Sequence, residues 1–399
     1  MDRRVQFSET KNENLYLNYV DITFPCVVLC AVVFCILGVV NITPPVITRL
    51  CRPTFIFITM LFVSRSYPLR SAKWQIALAA YFAIIYICNS ITRSVTELFL
   101  GHELFVLFFI FASEHIWSRR EINLILNAVI FSCNIQAIVV LFSNSLLLHA
   151  GSQQHIQYLW ISTNRNPIAF ALVPGAIASF LMLIHCENGV ESALFRAYWT
   201  LSFFLCAYDV FAIGCRSAFY SLCMGLGCLI WERVRKSRTP AEKIIQELML
   251  VILIIVVSRV LIRVASGAYS ARLFSIENSG REDIWDKAFG LIKQKPVFGG
   301  GFDYWETSGA NIGTHNTFFT YMLEGGVVAL VIVVAHLLSQ LREVFSTGSL
   351  IPLAFLAETI FHMFTESGMD YYAYLPMILS VIITRYLQYQ GSIYDLLNG

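Results

Sequence analysis

Three basic residues stand where polar groups can do chemistry in an otherwise apolar chain. His315 follows Thr314 in "NIGTHNTFFTYMLEGG", directly before a long apolar run. Arg216 precedes a second apolar run in "FAIGCRSAFYSL", and Arg281 opens the mixed stretch "REDIW". From its position alone, His315 could be a polar cap, a ligand or a catalyst. The helices and loops that contain these residues are needed to distinguish between those roles.

The basic residues favour an anion site shared by several helix starts. Free backbone N–H groups at a helix N-terminus and the planar fork of an arginine both suit a phosphate or pyrophosphate. Because a basic residue there opposes the helix dipole, Arg216 and Arg281 are unfavourable without an anion. Arg259 and Arg263, one turn apart in another apolar run, extend the set. The competing interpretation is that arginines at membrane boundaries extend to lipid headgroups.

Acidic residues within or beside apolar runs are the next candidates. Asp209 lies near enough to Arg216 in the sequence for a salt bridge. Glu324 follows His315 inside the same apolar run, where a charged group is costly and is a functional candidate by default. Glu358 and His362 are one helical turn apart and are interpreted as a pair.

Metal chemistry is not expected. The sequence has no paired-acid D-x-D motif in the short segment "NITPP" and no Cys/His spacing typical of zinc sites. Most of the 11 cysteines lie in apolar segments, where they act as small hydrophobes and do not form a disulfide framework. We therefore expect an active site without a metal or other cofactor.

The composition places these residues in a membrane. Of the 399 residues, 57% are hydrophobic and 14% charged, against about 25% charged in soluble proteins. The mean hydropathy is +0.65. These values predict an all-α polytopic membrane protein, and the net charge of +2 gives no indication of a nucleic-acid partner.

Hydropathy divides the chain into about twelve transmembrane helices, since each needs roughly 20 apolar residues. The predicted spans are 22–42, 46–64, 74–92, 100–116, 122–147, 167–185, 193–212, 217–232, 245–264, 315–338, 349–366 and 372–389. Residues 1–21 form an N-terminal segment, 22–264 spans one to nine, 265–314 a long loop, 315–389 spans ten to twelve, and 390–399 a tail.

The distribution of Lys and Arg predicts the orientation. Basic residues concentrate on the side that holds both termini, which makes that side cytoplasmic. The loops 148–166 and 265–314 then face outward. The first is polar with an aromatic centre, typical of a segment lying on the membrane surface. The second contains Ile284, Ala288 and Ile292 at helical spacing, with a Ser279–Glu282 capping box before them and Pro296 after them. It is predicted to hold an amphipathic helix in the interface.

The motifs, taken in order, resemble the core of the O-antigen ligase and polymerase superfamily. They are "GCRSAFYSL", "SGREDIWDKAFGLIKQKPVFGGGFDYW" and "THNTFFTYMLEGG". "NRNPIAFAL", which starts at Asn164 and Arg165, is similar to an Asn-Pro-x-x-x-Ala segment of several members. The resemblance covers about residues 160–326, and the first five spans match only in hydropathy.

The resemblance implies a C-type glycosyltransferase, with many spans and no metal. Such enzymes take a glycan from undecaprenyl diphosphate at the periplasmic face of the bacterial inner membrane. Arg216 and Arg281 match arginines that bind the donor pyrophosphate. His315 matches a histidine that activates or orients the acceptor hydroxyl, with Asn316 beside it. We expect attack from the opposite face of the sugar, which inverts the anomeric carbon.

Ligase and polymerase remain open as alternatives, with ligase placed first. A ligase passes the glycan to a lipid A–core sugar, whereas a polymerase passes it to another lipid-linked repeat unit and can work with a chain-length regulator. A lipid-linked glycan flippase or transporter is a rival, but it would place charges along a central cavity and show paired halves. A non-enzymatic membrane scaffold would not explain the outward arginines. Here the charged candidates cluster at one predicted membrane face.

Overall fold

The computed structural model describes the second half of the chain most fully. The described residues are 73–74, 76–77, 80–81, 109, 112–113, 117–142, 155–158, 161–185, 190–235, 244, 281–301, 304–309, 313–367 and 371–390. The predicted spans at 22–42, 46–64 and 245–264 lie outside them, as do most of 74–92 and 100–116. The twelve-span topology therefore stays a prediction.

Helices make up almost all of the described part, as the sequence predicts. They are α1 (Arg119–Leu141), α2 (Arg165–His185), α3 (Val190–Ile213), α4 (Arg216–Arg235), α5 (Arg281–Gln294), α6 (Tyr304–Thr307), α7 (Thr317–Ser346), α8 (Ile351–Thr365) and α9 (Tyr371–Gln390). Within that part, three helical stretches are long and apolar enough to cross a membrane: Glu121–Leu141, Asn166–Ile184 and Thr317–Ser346. The helix α8 is equally apolar but shorter.

The loop before α2 differs from the sequence prediction. It forms an antiparallel hairpin of β1 (His155–Tyr158) and β2 (Ile161–Asn164), with His155 opposite Asn164 and Tyr158 opposite Ile161. Its β-branched residues Ile156, Ile161 and Thr163 favour strands. A short strand pair thus leads directly into α2 in an otherwise helical fold, and the position of this loop on the membrane surface stays a prediction.

The core is centred on α2, which packs against α1, α3, α4, α8 and α9. Small residues allow α2 and the helices around it to approach closely, which is usual where helices pack in membranes. A Cβ added to Gly175 would lie 2.3 Å from the Cβ of Cys133 on α1. On α4, a Cβ at Gly225 would lie 2.5 Å from Ile177 and 3.0 Å from the Ala354 carbonyl oxygen on α8.

The helices α4 and α8 form an antiparallel pair that sets both ends of the bundle. At one end, the buried Glu232 carboxylate accepts hydrogen bonds from the Ser349 hydroxyl (3.0 Å) and the Leu350 N–H (3.2 Å), just before α8 begins. Arg235 donates to the same carboxylate at 2.9 Å. At the other end, the start of α4 lies beside the end of α8, so Arg216 and Glu366 share one end of the bundle.

The predicted amphipathic helix is present as α5, which ends at Gln294 before Pro296. Its capping residue Ser279 lies outside the described residues. Ala288 and Ile292 are buried in a small apolar cluster with Trp305 and Leu323 of α7. The helix thus rests on the first turns of α7 and stands apart from the main core.

Candidate active site

His315 occupies a strained turn immediately before α7. Its φ is 50°, a left-handed conformation that few residues other than glycine adopt. Its backbone N–H donates to the Ser367 hydroxyl at 2.7 Å. Such strain persists only where the surroundings determine it, and it concentrates at functional sites. The turn therefore fixes the direction in which the imidazole leaves the chain.

The residue that caps α7 is Asn316. The Asn316 side-chain oxygen accepts from the Phe319 N–H at 3.1 Å, and the helix begins at Thr317. Thr314 instead donates to the Asn316 carbonyl at 3.0 Å and lies 2.7 Å from the Thr320 hydroxyl. The residue with extended backbone next to the helix is Asn316, and only its side chain reaches the free N–H groups.

Glu366 is the centre of the site. One carboxylate oxygen, Oε2, lies 3.4 Å from His315 Nδ1. The other, Oε1, accepts a hydrogen bond from the Asn166 side chain at 2.9 Å and lies 3.9 Å from an Arg281 guanidinium nitrogen. Its backbone carbonyl accepts from the Thr317 hydroxyl at 2.8 Å. The carboxylate thus joins α2, α5, α7 and the end of α8.

Arg281 reaches this carboxylate because Trp285 anchors its helix. The two residues are four apart on α5 and so lie on the same face. The Trp285 indole donates to the Thr314 carbonyl at 3.0 Å, and its ring packs against Phe319 with centroids 5.9 Å apart. The spacing Arg-x-x-x-Trp therefore has a structural cause: the tryptophan docks the helix, and the arginine faces the site.

Arg216 begins α4 beside the same cluster. The preceding residue, Cys215, is buried and lies within electrostatic range of both Glu366 and Arg281. Burial, with a smaller effect of the Glu366 charge, raises the pKa of the Cys215 thiol to about 11, so the thiol stays neutral. The N-terminus of α4 therefore lies near Glu366 and Arg281.

The glycine-rich loop after α5 is hydrogen-bonded to the Glu-Gly-Gly segment of α7. The Gly300 N–H donates to the Leu323 carbonyl at 2.7 Å, and the Gly301 N–H donates to the Glu324 carbonyl at 3.0 Å. In return, the Val327 N–H donates to the Pro296 carbonyl at 2.9 Å. Gly326 interrupts the helical conformation of α7 with a φ of 66°. The loop after α5 is thereby hydrogen-bonded to a kink about three turns beyond His315.

Glu324 takes part in this contact through its backbone. Its carbonyl is one of the acceptors in the kink, and its side chain is half-buried. A direct contact of the Glu324 carboxylate with substrate stays a prediction.

The predicted salt bridge between Asp209 and Arg216 is wrong. The Asp209 carboxylate is fully buried, and neither of its oxygens accepts a hydrogen bond within the described residues. Asp209 lies one turn before the end of α3, near Cys206, whereas Arg216 follows the turn at Gly214, whose φ is 70°. Closeness in sequence across a tight turn did not bring the two side chains together.

The predicted pair of Glu358 and His362 is also not formed. Both side chains are buried on α8, but no described residue makes a hydrogen bond to the Glu358 carboxylate. The His362 ring packs edge-to-face against Phe170 of α2, with centroids 4.8 Å apart. Packing between α2 and α8 thus decides the direction of the ring.

Other predicted residues lie beyond what the structure describes. Arg259 and Arg263 are outside the described residues. Asn164 ends β2 and Arg165 begins α2, but only their backbones are described. Within the described residues, no group of three or more His, Cys, Asp or Glu side chains is placed to hold a metal ion. Metal-free chemistry stays an expectation.

Sequence reasoning missed Glu366, Ser367 and Asn166. A signal for Glu366 existed: it follows the last residue of an apolar helix, where a negative charge opposes the dipole. The same argument selected Arg216 and Arg281. Asn166 belongs to the Asn-Pro segment that had been singled out for Asn164 and Arg165.

The geometry agrees with a comparison against known families. Residues 201–334 match the model of a family described as O-antigen ligase. Over those residues the chain is similar to O-antigen ligases. The matched region contains Arg216, Arg281 and His315, and it supports the resemblance to the ligase and polymerase superfamily. No curated protein matches the chain.

The match supports an enzyme of the ligase or polymerase type in general, with lipid-linked glycans as its substrate class, and the apolar helices support a membrane protein. Glu366 and Asn166 both lie outside residues 201–334. The matched region thus contains the basic residues of the candidate site, whereas the carboxylate and the amide that contact them lie in other parts of the chain.

Proposed function

We propose that the protein is an O-antigen ligase-type glycosyltransferase. It moves a glycan from undecaprenyl diphosphate to a sugar hydroxyl of lipid A–core at the periplasmic face of the bacterial inner membrane. The observation that carries the proposal is the meeting of Arg281 and His315 around one carboxylate, beside the N-terminus of α4. The match of residues 201–334 to the O-antigen ligase family supports it.

The proposed chemistry assigns one role to the arginines and another to the histidine. As the anomeric bond breaks, the departing diphosphate gains negative charge. Cations fixed at that place stabilise the transition state more than the ground state. Arg281 and Arg216 supply them, and Arg259 and Arg263 are proposed to join them.

His315 acts on the acceptor. A sugar hydroxyl is a poor nucleophile, and imidazole is the usual general base for it near neutral pH. The imidazole takes the proton while the hydroxyl oxygen attacks the anomeric carbon from the side opposite the diphosphate. The product is inverted, and no metal takes part.

A polymerase of the same superfamily is the second candidate. It would use the same donor and join lipid-linked repeat units, with a chain-length regulator as a partner. The observation that favours it is the hydrogen bond from Asn166 to Glu366, which places the Asn-Pro segment in the site. That segment resembles polymerases slightly more than ligases.

Reconstitution of the full chain in liposomes tests both candidates. The donor is an undecaprenyl-diphosphate glycan, and the acceptor is either purified rough lipopolysaccharide or a second lipid-linked glycan. Ligation to rough lipopolysaccharide is the expected result, whereas a ladder of longer lipid-linked glycans would establish the polymerase. No covalent product with either acceptor would overturn both and favour a flippase, which is measured as movement of the donor between leaflets.

A further inference from the structure

Only one of the two Glu366 carboxylate oxygens lies close to the His315 imidazole. Its Oε1 is occupied by Asn166 at 2.9 Å and faces Arg281 at 3.9 Å, which leaves Oε2 for His315 Nδ1. The carboxylate side chain is 13% exposed, and the imidazole is 25% exposed. The same stretch of chain holds the histidine backbone, through the hydroxyl of Ser367. Both the ring and its partner are therefore fixed by the end of α8.

From this arrangement we infer that Glu366 is a positioning residue that sets the tautomer of His315, an inference that rests on the proposed function. An ionised carboxylate only accepts hydrogen bonds, so the imidazole must carry its proton on Nδ1. Nε2 then keeps its lone pair. No described residue makes a hydrogen bond to Nε2, and the partly exposed ring leaves it open to an acceptor hydroxyl.

The 3.4 Å separation of Glu366 Oε2 and His315 Nδ1 is long for a hydrogen bond to a carboxylate, and we expect it to shorten when substrate binds. Hydrogen bonds among catalytic groups are often long in the free enzyme and shorten in the loaded complex. The diphosphate gives a reason for the change. Once it attracts Arg281, the carboxylate has one fewer cationic neighbour, and its bond to the imidazole strengthens. Donor binding thus strengthens the hydrogen bond that orients the His315 imidazole.

The proton balance gives Glu366 a second role during the reaction. The acceptor hydroxyl proton moves to Nε2, and the hydroxyl oxygen forms a bond to the anomeric carbon. The bond from that carbon to the diphosphate oxygen breaks, and its electron pair leaves with the diphosphate. His315 is then an imidazolium between the product and Glu366. The carboxylate stays ionised and stabilises this cation, as in other carboxylate–histidine pairs.

Glu366→Gln is the decisive variant because it keeps the size of the side chain and its capacity for hydrogen bonds. The carboxamide oxygen accepts from Asn166, and its nitrogen donates to Nδ1. That donation forces the proton onto Nε2, where it blocks the base. The equivalent change in a serine protease lowers kcat about 10⁴-fold. We expect kcat for glycan transfer to fall about 10²- to 10⁴-fold, with little change in donor KM.

Two further variants separate positioning from folding. Glu366→Asp keeps the accepting carboxylate on a shorter side chain, and kcat should lie between wild type and Glu366→Gln. Glu343→Gln makes the same chemical change at a carboxylate that pairs with Arg385 at 3.4 Å, at the opposite end of α7. It should transfer glycan at the wild-type rate. Wild-type kcat in Glu366→Gln would overturn the inference, since a purely structural role tolerates this isosteric change.

The tautomer of His315 can be determined without an activity assay. The chain has 8 histidines, so ¹⁵N-histidine NMR of the full protein, compared with His315→Ala, identifies the His315 signals. Wild type should carry the proton on Nδ1, and Glu366→Gln should carry it on Nε2. An Nε2-protonated His315 in wild type would refute the inference. Absence of transfer by wild type with either acceptor would instead refute the proposed function, while the NMR comparison would still test the tautomer.

Discussion

At the scale of single residues, the site combines charges that are each unfavourable alone. Arg281 lies at the positive end of α5, and Glu366 lies at the negative end of α8, so each opposes its own helix dipole. Their 3.9 Å separation offsets both unfavourable interactions with the helix dipoles. A diphosphate that enters would compete with Glu366 for the arginine. Binding would then exchange one anionic partner of Arg281 for another and would not desolvate a free charge.

Replacing His315 by Ala tests its chemical role. Without the imidazole the acceptor hydroxyl has no base, and kcat for transfer should fall about 10²- to 10⁴-fold. In the proposed site the arginines bind the donor pyrophosphate, so the affinity for undecaprenyl diphosphate should be unchanged. Transfer assays and donor-binding measurements on the same preparation check both statements. Loss of donor affinity together with transfer would mean that His315 is structural.

At the scale of elements, the loop at residues 296–301 and the kink at residues 323–328 together form a joint between α5 and α7. A Cβ on Gly299 would lie 2.4 Å from the Glu324 carbonyl carbon, and a Cβ on Gly326 would lie 2.1 Å from the Val297 carbonyl oxygen. Both glycines also have positive φ. The backbones of the two segments therefore approach as closely as glycine permits. Arg281 depends on this joint for its position, because α5 packs mainly on α7.

Gly326→Ala should break this joint. The added methyl group meets backbone at 2.1 Å and requires a left-handed alanine, so the free energy of unfolding should fall by at least about 2 kcal/mol. Glycan transfer should fall with it. Gly290→Ala on α5 is the matched control, since no atom lies within 4 Å of its Cβ. It should stabilise the helix by about 0.5–1 kcal/mol.

Thermal unfolding in detergent and limited proteolysis of residues 281–313 measure the effect of these two changes. Protection of that segment should be lost in Gly326→Ala and kept in Gly290→Ala. Equal protection in both variants would show that the close approach of the two motifs does not hold α5 in place.

At the scale of the whole molecule, the end of the bundle opposite the site depends on a different carboxylate. Glu232 is buried and satisfies the start of α8 through Ser349 and Leu350. Its removal leaves those donors without their acceptor, at the end of the bundle away from the candidate site.

Glu232→Ala should therefore lower the free energy of unfolding by about 1–3 kcal/mol. In the fraction that folds, KM for donor and acceptor should equal the wild-type values. Thermal melts and steady-state kinetics measure the two quantities. A changed KM would show that the two ends of the bundle are coupled through α4 and α8.

The sequence predicted local features of this molecule well and distant contacts poorly. Hydropathy predicted helices at 167–185 and 217–232, and the structure has them at Arg165–His185 and Arg216–Arg235. Periodicity and Pro296 likewise predicted α5. Each of those signals lies within about twenty residues of chain, where a helix repeats its own pattern.

The partners of Glu366 could not be found in that way. Asn166 and Glu366 are 200 residues apart, and no periodic pattern connects them. Asp209 shows the opposite error, because short separation suggested a contact with Arg216 that the turn at Gly214 prevents. A dipole argument at the end of α8 would have selected Glu366 as unusual, but its partners follow only from the packing of α2, α5 and α7.

The position of Glu366 near the end of the chain has a consequence for biosynthesis. Ribosomes deliver Arg216, Arg281 and His315 to the membrane before residue 366 is made. On the proposed function, a nascent chain that ends before α8 has the arginines that bind the lipid diphosphate but lacks the carboxylate that orients the histidine. Such a chain would bind the donor without transferring its glycan. Synthesis and folding through residue 366 would then add catalysis to diphosphate binding.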